Sequence, residues 1–246
     1  MELLHREQYT IAPIHLDRFG RVKPSVLLHF AQEAAGEHCN LLSVDWNTLA
    51  TRQLFWAVTR HRMQITRLPE LGETITVETW PMPTTRVAYP RSTVAYDSRG
   101  NEIFRSISLW VLMNTETRAM VLPKKSGIDV PGTLRGNELA VPASLHPKVQ
   151  EHHALRQVGF TELDRNGHMN NTRYMDWIFD LLPSEFHRAH PVRDLTICYL
   201  SEARESQQVD MAFALGEDLC LQVDAHRPDT SVSGEQERVF SALLQF

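Results

Sequence analysis

A short segment of this chain occurs twice. Residues 16–20 read Leu16-Asp17-Arg18-Phe19-Gly20, and residues 163–167 read Leu163-Asp164-Arg165-Asn166-Gly167, identical at four of five positions. The two aspartates lie 147 residues apart (164 − 17). That spacing is too long for a solenoid repeat and fits a duplicated domain. A chain of 246 residues has room for two such copies.

The surroundings of the segment repeat as well. After the first copy, Pro24 suits a first helical turn, and Val26, Phe30 and Ala34 form one i, i+4 stripe beside Leu27, Ala31 and Ala35. After the second copy, a helix is expected over about Thr172 to Leu182, with Tyr174, Ile178 and Leu182 on one face and Pro183 as the stop. Strand patterns follow each helix. In the first half these are Thr74–Trp80, Ser92–Tyr96 and Glu102–Met113, the last two joined by the turn Asp97-Ser98-Arg99-Gly100-Asn101. In the second half they are Leu195–Leu200, Val209–Leu215, Leu219–Ala225 and Val239–Phe246. Each half thus reads as one helix covering the apolar face of an antiparallel meander, an α+β arrangement. The stretch from about Pro123 to Leu155 is rich in Pro, Gly, Lys and His and lacks a clear period. It reads as a connector with room for a short helix. The expected division is an N-terminal domain over 1–130, a connector over 131–155 and a C-terminal domain over 156–246.

Composition narrows the class. Apolar residues make up 42% and charged residues 22%, as in an ordinary folded protein. No run approaches the roughly 18 unbroken apolar residues of a membrane span. The start, MELLHREQYT, has neither a basic region leading into an apolar core nor a transit-peptide composition, and the few scattered cysteines fit a reducing cytoplasm. A formal net charge of -5 argues against a general nucleic-acid role. Cys39, Cys198 and Cys220 are far apart and form no CxxC, so neither a disulfide framework nor a zinc site is expected.

The two copies differ where chemistry would lie. The second packs Asp164, Asn166, His168, Asn170 and Asn171 into eight positions before its helix, whereas the first has Phe19 for Asn166 and Arg21 for His168. Asp and Asn alone would suit a capped helix start. A purely structural loop would not need the difference. One copy therefore reads as a site and the other as a scaffold or pocket.

The run from Leu163 to Trp177 resembles the D-x-N-x-H-(V/M)-N-N-x-x-Y-x-x-W signature of the acyl-acyl-carrier-protein thioesterases. The resemblance extends over nearly the whole chain, in order. Phe55-Trp56-Ala57-Val58-Thr59-Arg60 is similar to the family's segment after its first helix, and Gly72–Trp80 to its G-(D/E)-x-x-x-V-x-T-W strand. Ser108–Arg118 is similar to its S-L-W-V-x-M-N-x-x-T-R hairpin. The resemblance implies a tandem double hot-dog fold, each half a long helix wrapped by an antiparallel β-sheet. It implies hydrolysis of a fatty acyl thioester on acyl carrier protein, ending chain elongation, without a cofactor or metal. The family's catalytic Asp, Asn and His fall on Asp164, Asn166 and His168. Its catalytic Glu, found in a Y-x-x-E-C context, falls on Glu202 in Tyr199-Leu200-Ser201-Glu202-Ala203. Ala203 departs from the Cys of many plant members and excludes a thiol nucleophile there.

That set of residues can act on a thioester in more than one way. Glu202 can serve as general base toward water or attack directly as a carboxylate. His168 can polarise the same water or protonate the leaving thiolate, Asn166 can orient the carbonyl or the water, and Asp164 can fix the loop or tune the histidine. The same fold is compatible with a coenzyme A thioester as substrate. A non-catalytic acyl- or carrier-binding module is disfavoured by the complete set, and a hydratase would leave Glu202 without a role. Ala34 and Ala35 are candidates for lining the acyl pocket. Arg60, Arg62, Lys124 and Lys125 are candidates for meeting an acidic carrier protein. His152-His153 and His187-x-x-His190 read as surface histidines rather than metal ligands. Trp56, Trp80 and Trp110 read as core. A monomer and a homodimer are both compatible with two halves that mimic a hot-dog dimer.

Overall fold

The computed structural model describes residues 3–146, 151–228 and 236–246. It divides into two compact units, Met1–Pro142 and Ala143–Phe246. The first unit contains β1 (His5–Thr10), a 3-10 turn at Pro13–His15, α1 (Pro24–Leu41), α2 (Trp46–Ala50), β2 (Leu54–Ile65), β3 (Thr74–Pro81), β4 (Tyr89–Tyr96), β5 (Glu102–Asn114), β6 (Met120–Val121) and α3 (Pro123–Ser126). The second contains β7 (His152–Gln157), a 3-10 turn at Phe160–Glu162, α4 (Arg173–Phe179), α5 (Ser184–Ala189), β8 (Asp194–Tyr199), β9 (Gln208–Leu215), β10 (Cys220–Pro228) and β11 (Gln236–Gln245).

The sheets confirm the duplication. In the first unit the antiparallel order is β1-β3-β4-β5-β2, and in the second it is β7-β9-β10-β11-β8. Counted along each unit, both orders are first, third, fourth, fifth, second. The repeated segment is reproduced contact by contact. Asp17 Oδ1 accepts the N–H groups of Phe19 and Arg21 at 2.8 and 2.9 Å, and Asp164 Oδ1 accepts those of Asn166 and His168 at 2.8 and 3.2 Å. Gly20 and Gly167 both have φ of 75°, which a side chain rarely adopts. The bridges Leu16↔Val22 and Leu163↔Met169 close the two loops alike.

Each unit is a hot-dog, α+β in class. In the first, α1 buries Leu27, Leu28, Ala31, Ala34, Ala35 and His38 along one face against the sheet. Those positions recur at three- and four-residue spacing, which keeps them on one stripe. In the second, α4 has seven residues against eighteen in α1, shorter than the long helix that the resemblance implies. Asp180 closes it, and Pro183 forces extended backbone before α5 begins. Tyr174 and Trp177 still bury its inner face, with the Tyr174 ring edge-on to Phe240 of β11.

Four strands were not expected from the sequence. β1 and β7 alternate between half-buried and exposed residues, so their edges carry no apolar stripe. β7 lies inside the stretch that reads as a connector, of which residues 147–150 lie outside the described residues. β2 is interrupted by a register shift between Val58 and Arg60, which breaks its alternation. β6 has two residues. The stretch after α3 packs on the first unit: Ile128 and Val130 join the cluster of Leu42, Val44, Leu49, Leu54, Tyr89 and Leu112, and Glu138 accepts from Trp80 Nε1.

Register pairs position the two copies residue by residue. One row across β3-β4-β5-β2 reads Pro81–Arg91–Ser108–His61, and its counterpart across β9-β10-β11-β8 reads Leu215–Leu221–Leu244–Leu195. The adjacent row, which also takes in β1 or β7, reads His5–Thr79–Thr93–Ser106–Met63 in the first unit and His152–Phe213–Val223–Ala242–Ile197 in the second.

Burial pushes the His61 imidazole down from 6.5 to about 4. Between those values the unfolded chain binds a proton that the folded chain does not, so stability is lost as pH falls through this window. His61→Leu, which copies Leu195 of the second unit, should flatten the loss between pH 7 and pH 4 by up to about 3 kcal/mol. Urea unfolding across that range checks it. Parallel curves for parent and variant would contradict the assignment.

Candidate active site

The second copy of the loop brings His168 beside Glu202. Met169 N–H donates to Ala203 C=O at 2.8 Å, and His168 forms an isolated antiparallel bridge with Arg204. This backbone pairing lays residues 168–169 alongside 203–204. His168 Nε2 then lies 3.1 Å from Glu202 Oε2. The imidazole is 11% exposed and the carboxylate 34%. A carboxylate oxygen can only accept, so Nε2 carries the hydrogen of this contact. Arg204 Nη2 stands 3.9 Å from the same oxygen, which brings a guanidinium to the carboxylate.

Asp164 holds the loop through the backbone contacts already given, as Asp17 does in the first unit. Because both copies share that geometry, the carboxylate's demonstrable work is structural. Asn166 is exposed, and its Nδ2 donates to Asp164 Oδ2 at 3.3 Å. His168 and Glu202 are therefore in direct contact, while Asn166 joins them through Asp164. In the first unit Phe19 and Arg21 occupy the places of Asn166 and His168, with the Arg21 guanidinium over the Phe19 ring at 5.3 Å and Arg21 Nε 3.4 Å from Asp17.

The remaining asparagines anchor the loop to its unit. Asn170 Oδ1 accepts from the Thr172 N–H and hydroxyl at 3.0 and 2.9 Å, closing the turn that leads into α4. Asn171 C=O accepts from the Tyr199 hydroxyl at 3.0 Å. Glu162 accepts from Gly159 N–H at 2.8 Å and from Trp177 Nε1 at 2.6 Å, tying the 3-10 turn to the helix. Burial raises the pKa of Tyr174, keeping its phenol protonated, and its hydroxyl hydrogen-bonds the Ala203 backbone.

Glu202 lies between β8 and β9 and needs its own support. Leu200 and Ser201 N–H both donate to Val239 C=O, and Ser201 Oγ donates to Arg238 C=O at 2.8 Å. Arg227 of β10 donates to Glu202 C=O, to Gln207 Oε1 at 2.6 Å and to Glu237 Oε2 at 2.7 Å. No sequence motif marks Arg227; it lies 25 residues from Glu202, and only the pairing of strands brings them together.

The other sequence candidates fall elsewhere. Ala34 and Ala35 are buried on α1. Arg60 Nη1 donates to Pro142 C=O at 2.9 Å, while Lys124 and Lys125 are exposed on α3. His153 pairs with Asp210 at 2.9 Å, and His187 Nε2 lies 2.8 Å from Phe179 C=O. No group of three or more His, Cys, Asp or Glu among the described residues stands ready for a metal ion. No helix among them is long and apolar enough to cross a membrane. Trp80 is fully buried, whereas Trp56 and Trp110 are half-buried. Cys198 is buried on β8, with Sγ 3.8 Å from Ala143 C=O.

Fold and site together define a tandem double hot-dog protein with an imidazole–carboxylate pair on the loops of its second half. Comparison with known proteins narrows the class. Residues 2–124 match the acyl-ACP thioesterase N-terminal domain, and residues 145–239 match the acyl-ACP thioesterase C-terminal domain. The chain belongs to the acyl-ACP thioesterase family. It is 24% identical over 230 residues to an oleoyl-acyl carrier protein thioesterase of Arabidopsis thaliana, covering 85% of this chain and 63% of that protein. It is 28% identical over 194 residues to a dodecanoyl-[acyl-carrier-protein] hydrolase of Cinnamomum camphora, covering 72% and 50%. The chain thus spans between half and two thirds of the length of these two curated relatives. Two solved structures share the fold. One is an acyl-ACP thioesterase from Bacteroides thetaiotaomicron, with a TM-score of 0.86 at 22% identity over 99% of this chain and 97% of that one. The other is a 12:0-ACP thioesterase from Umbellularia californica, with a TM-score of 0.83 at 21% identity over 100% and 97%.

If Glu202 reacts as the resemblance implies, Arg227→Met should loosen its loop and lower kcat on an acyl thioester by about tenfold or more, since small displacements of a reacting group are costly. KM should move less, and Arg227→Lys should restore part of the rate. Unchanged kcat in a folded Arg227→Met variant would show that Arg227 does not position Glu202.

Proposed function

We propose that the chain hydrolyses fatty acyl thioesters carried on acyl carrier protein, releasing the free acid and the carrier thiol. The observation that carries this reading is the 3.1 Å contact between His168 Nε2 and Glu202 Oε2 within a member of the acyl-ACP thioesterase family. The relatives' names support the substrate, as oleoyl-ACP and dodecanoyl-ACP are printed for them.

In this reading, Glu202 takes a proton from water as the water oxygen attacks the acyl carbonyl. The tetrahedral oxyanion collapses, the C–S bond breaks, and the thiolate takes a proton from His168 Nε2. Glu202 then returns its proton to His168 across their 3.1 Å contact, so that one water is consumed and one carboxylic acid and one thiol leave. The 11% exposed imidazole and the partly exposed carboxylate suit these parts, because the proton donor is sheltered while the base is reached by water. Direct attack by the Glu202 carboxylate is the competing route and would pass through an anhydride. No thiol stands in the Glu202 loop, since Ala203 fills that place and is buried. Asp164 keeps the loop shape and Asn166 orients the acyl carbonyl or the water. The acidic carrier would meet exposed Lys124 and Lys125, with Arg60 and Arg62 as further candidates, in a chain whose net charge is -5.

His168→Ala and Glu202→Gln should each lower kcat on acyl carrier substrates by about a hundredfold or more. Their melting temperatures should stay near that of the parent. Released thiol, measured with matched carrier and coenzyme A thioesters, reads both points at once. Full activity in both variants would remove the site, and equal kcat/KM on the two thiols would remove the carrier preference.

A further inference from the structure

The inner wall of the first unit carries a buried cation that the fold does not require. Arg91 on β4 is 6% exposed. Its Nη1 donates to His38 Nδ1 at 3.2 Å and to Thr79 Oγ1 at 3.3 Å, and its Nη2 reaches Cys39 Sγ at 3.9 Å. No carboxylate among the described residues pairs with it. Two strands away in the same row, His61 is buried and its Nε2 has no hydrogen-bond partner. Ser108 lies between them, its Oγ accepting from Trp110 Nε1 at 2.8 Å and keeping its own proton to donate.

The second unit is an internal control. At the places of Arg91, Ser108 and His61 it has Leu221, Leu244 and Leu195, all fully buried. At the places of Thr79, Thr93 and Ser106 it has Phe213, Val223 and Ala242. The same backbone is thus built from apolar side chains in one copy and from donors in the other. A guanidinium buried without a counter-charge is costly, and the unpartnered His61 Nε2 adds to that cost. Groups held at such a cost are candidates for meeting a ligand.

We infer that Arg91, with Ser108 and His61, forms a subsite for an acyl chain that carries an oxygen beyond the thioester carbonyl: a keto, hydroxyl or terminal carboxyl group. The inference rests on the reading that the first unit lodges the acyl chain along Ala34 and Ala35. Ala34 and His38 share the buried face of α1 one turn apart, and His38 contacts Arg91. A chain lying along the alanines would meet the guanidinium one turn further on. An oxygen there gives the buried guanidinium and the unpartnered His61 Nε2 a polar partner, whereas a methylene does not, and sites built to hydrogen-bond a substrate reject analogues lacking the group.

The test compares acyl carrier thioesters of one carbon number in plain, 3-oxo, 3-hydroxy and terminal-carboxyl forms, on the parent and on Arg91→Leu. The parent should favour at least one oxygenated form over the plain chain by about tenfold or more in kcat/KM, and Arg91→Leu should reverse that order. A parent that prefers the plain chain to every oxygenated form, or a variant that changes all four alike, would overturn the subsite. Calorimetry with the matching free acids separates this inference from the reading beneath it. Oxygen-dependent binding that Arg91→Leu abolishes upholds the subsite even if no thioester is cleaved; equal binding of all the acids by parent and variant refutes it. If Arg91→Leu does not fold, His61→Leu is read in the same way.

Discussion

The Asp164 carboxylate accepts two backbone N–H groups of its own loop, and the geometry of the site depends on that contact. With Gly167 at positive φ, the chain reverses and His168 is delivered to the strand-like bridge with Arg204. Asp17 and Gly20 do the same in the first unit, where no imidazole follows. The duplication therefore separates two properties that a single loop would confound. The Asp-Arg-x-Gly framework is a way to turn the chain before a helix, and in the proposed function reactivity comes from the side chains by which one copy differs from the other.

The same separation holds across the sheets. Strand order is common to both units, yet the helix-facing rows differ in chemistry: leucines in the second, Arg91, Ser108 and His61 in the first. The division of labour is consistent from loop to core. The second unit fills this row with leucines and carries His168 and Glu202 on its loops. The first has an aromatic and an arginine in its loop and keeps its donors inside.

Much of this was legible in the sequence because it is local or repeated. Alternation in Thr74–Trp80 and the Asp97–Asn101 turn located β3 and the β4–β5 hairpin, and Asp97 does close that turn by accepting the Arg99 and Asn101 N–H groups. The identity between Leu16–Gly20 and Leu163–Gly167 announced two equivalent folds. Edge strands were not legible: β7 has no buried residue, so nothing in HHALRQ separates it from a loop. In β2, the consecutive Arg60, His61 and Arg62 read as a basic cluster, although His61 is buried in the core. Glu202 was placed by family resemblance rather than by pattern, because its approach to His168 is made by tertiary pairing over 34 residues (202 − 168). Arg227 and Arg91 carry no motif, and their importance lies in what they touch or fail to touch.

The central claim is that the second loop's reactivity lies in the residues by which it differs from the first. The double variant Asn166→Phe, His168→Arg rewrites the second loop with the side chains of the first at those two places. It should melt within a few degrees of the parent, since the Asp164 contacts are to backbone. Its turnover of acyl carrier thioesters should fall by about a hundredfold or more. A folded double variant that still releases free acid at the parental rate would contradict the account.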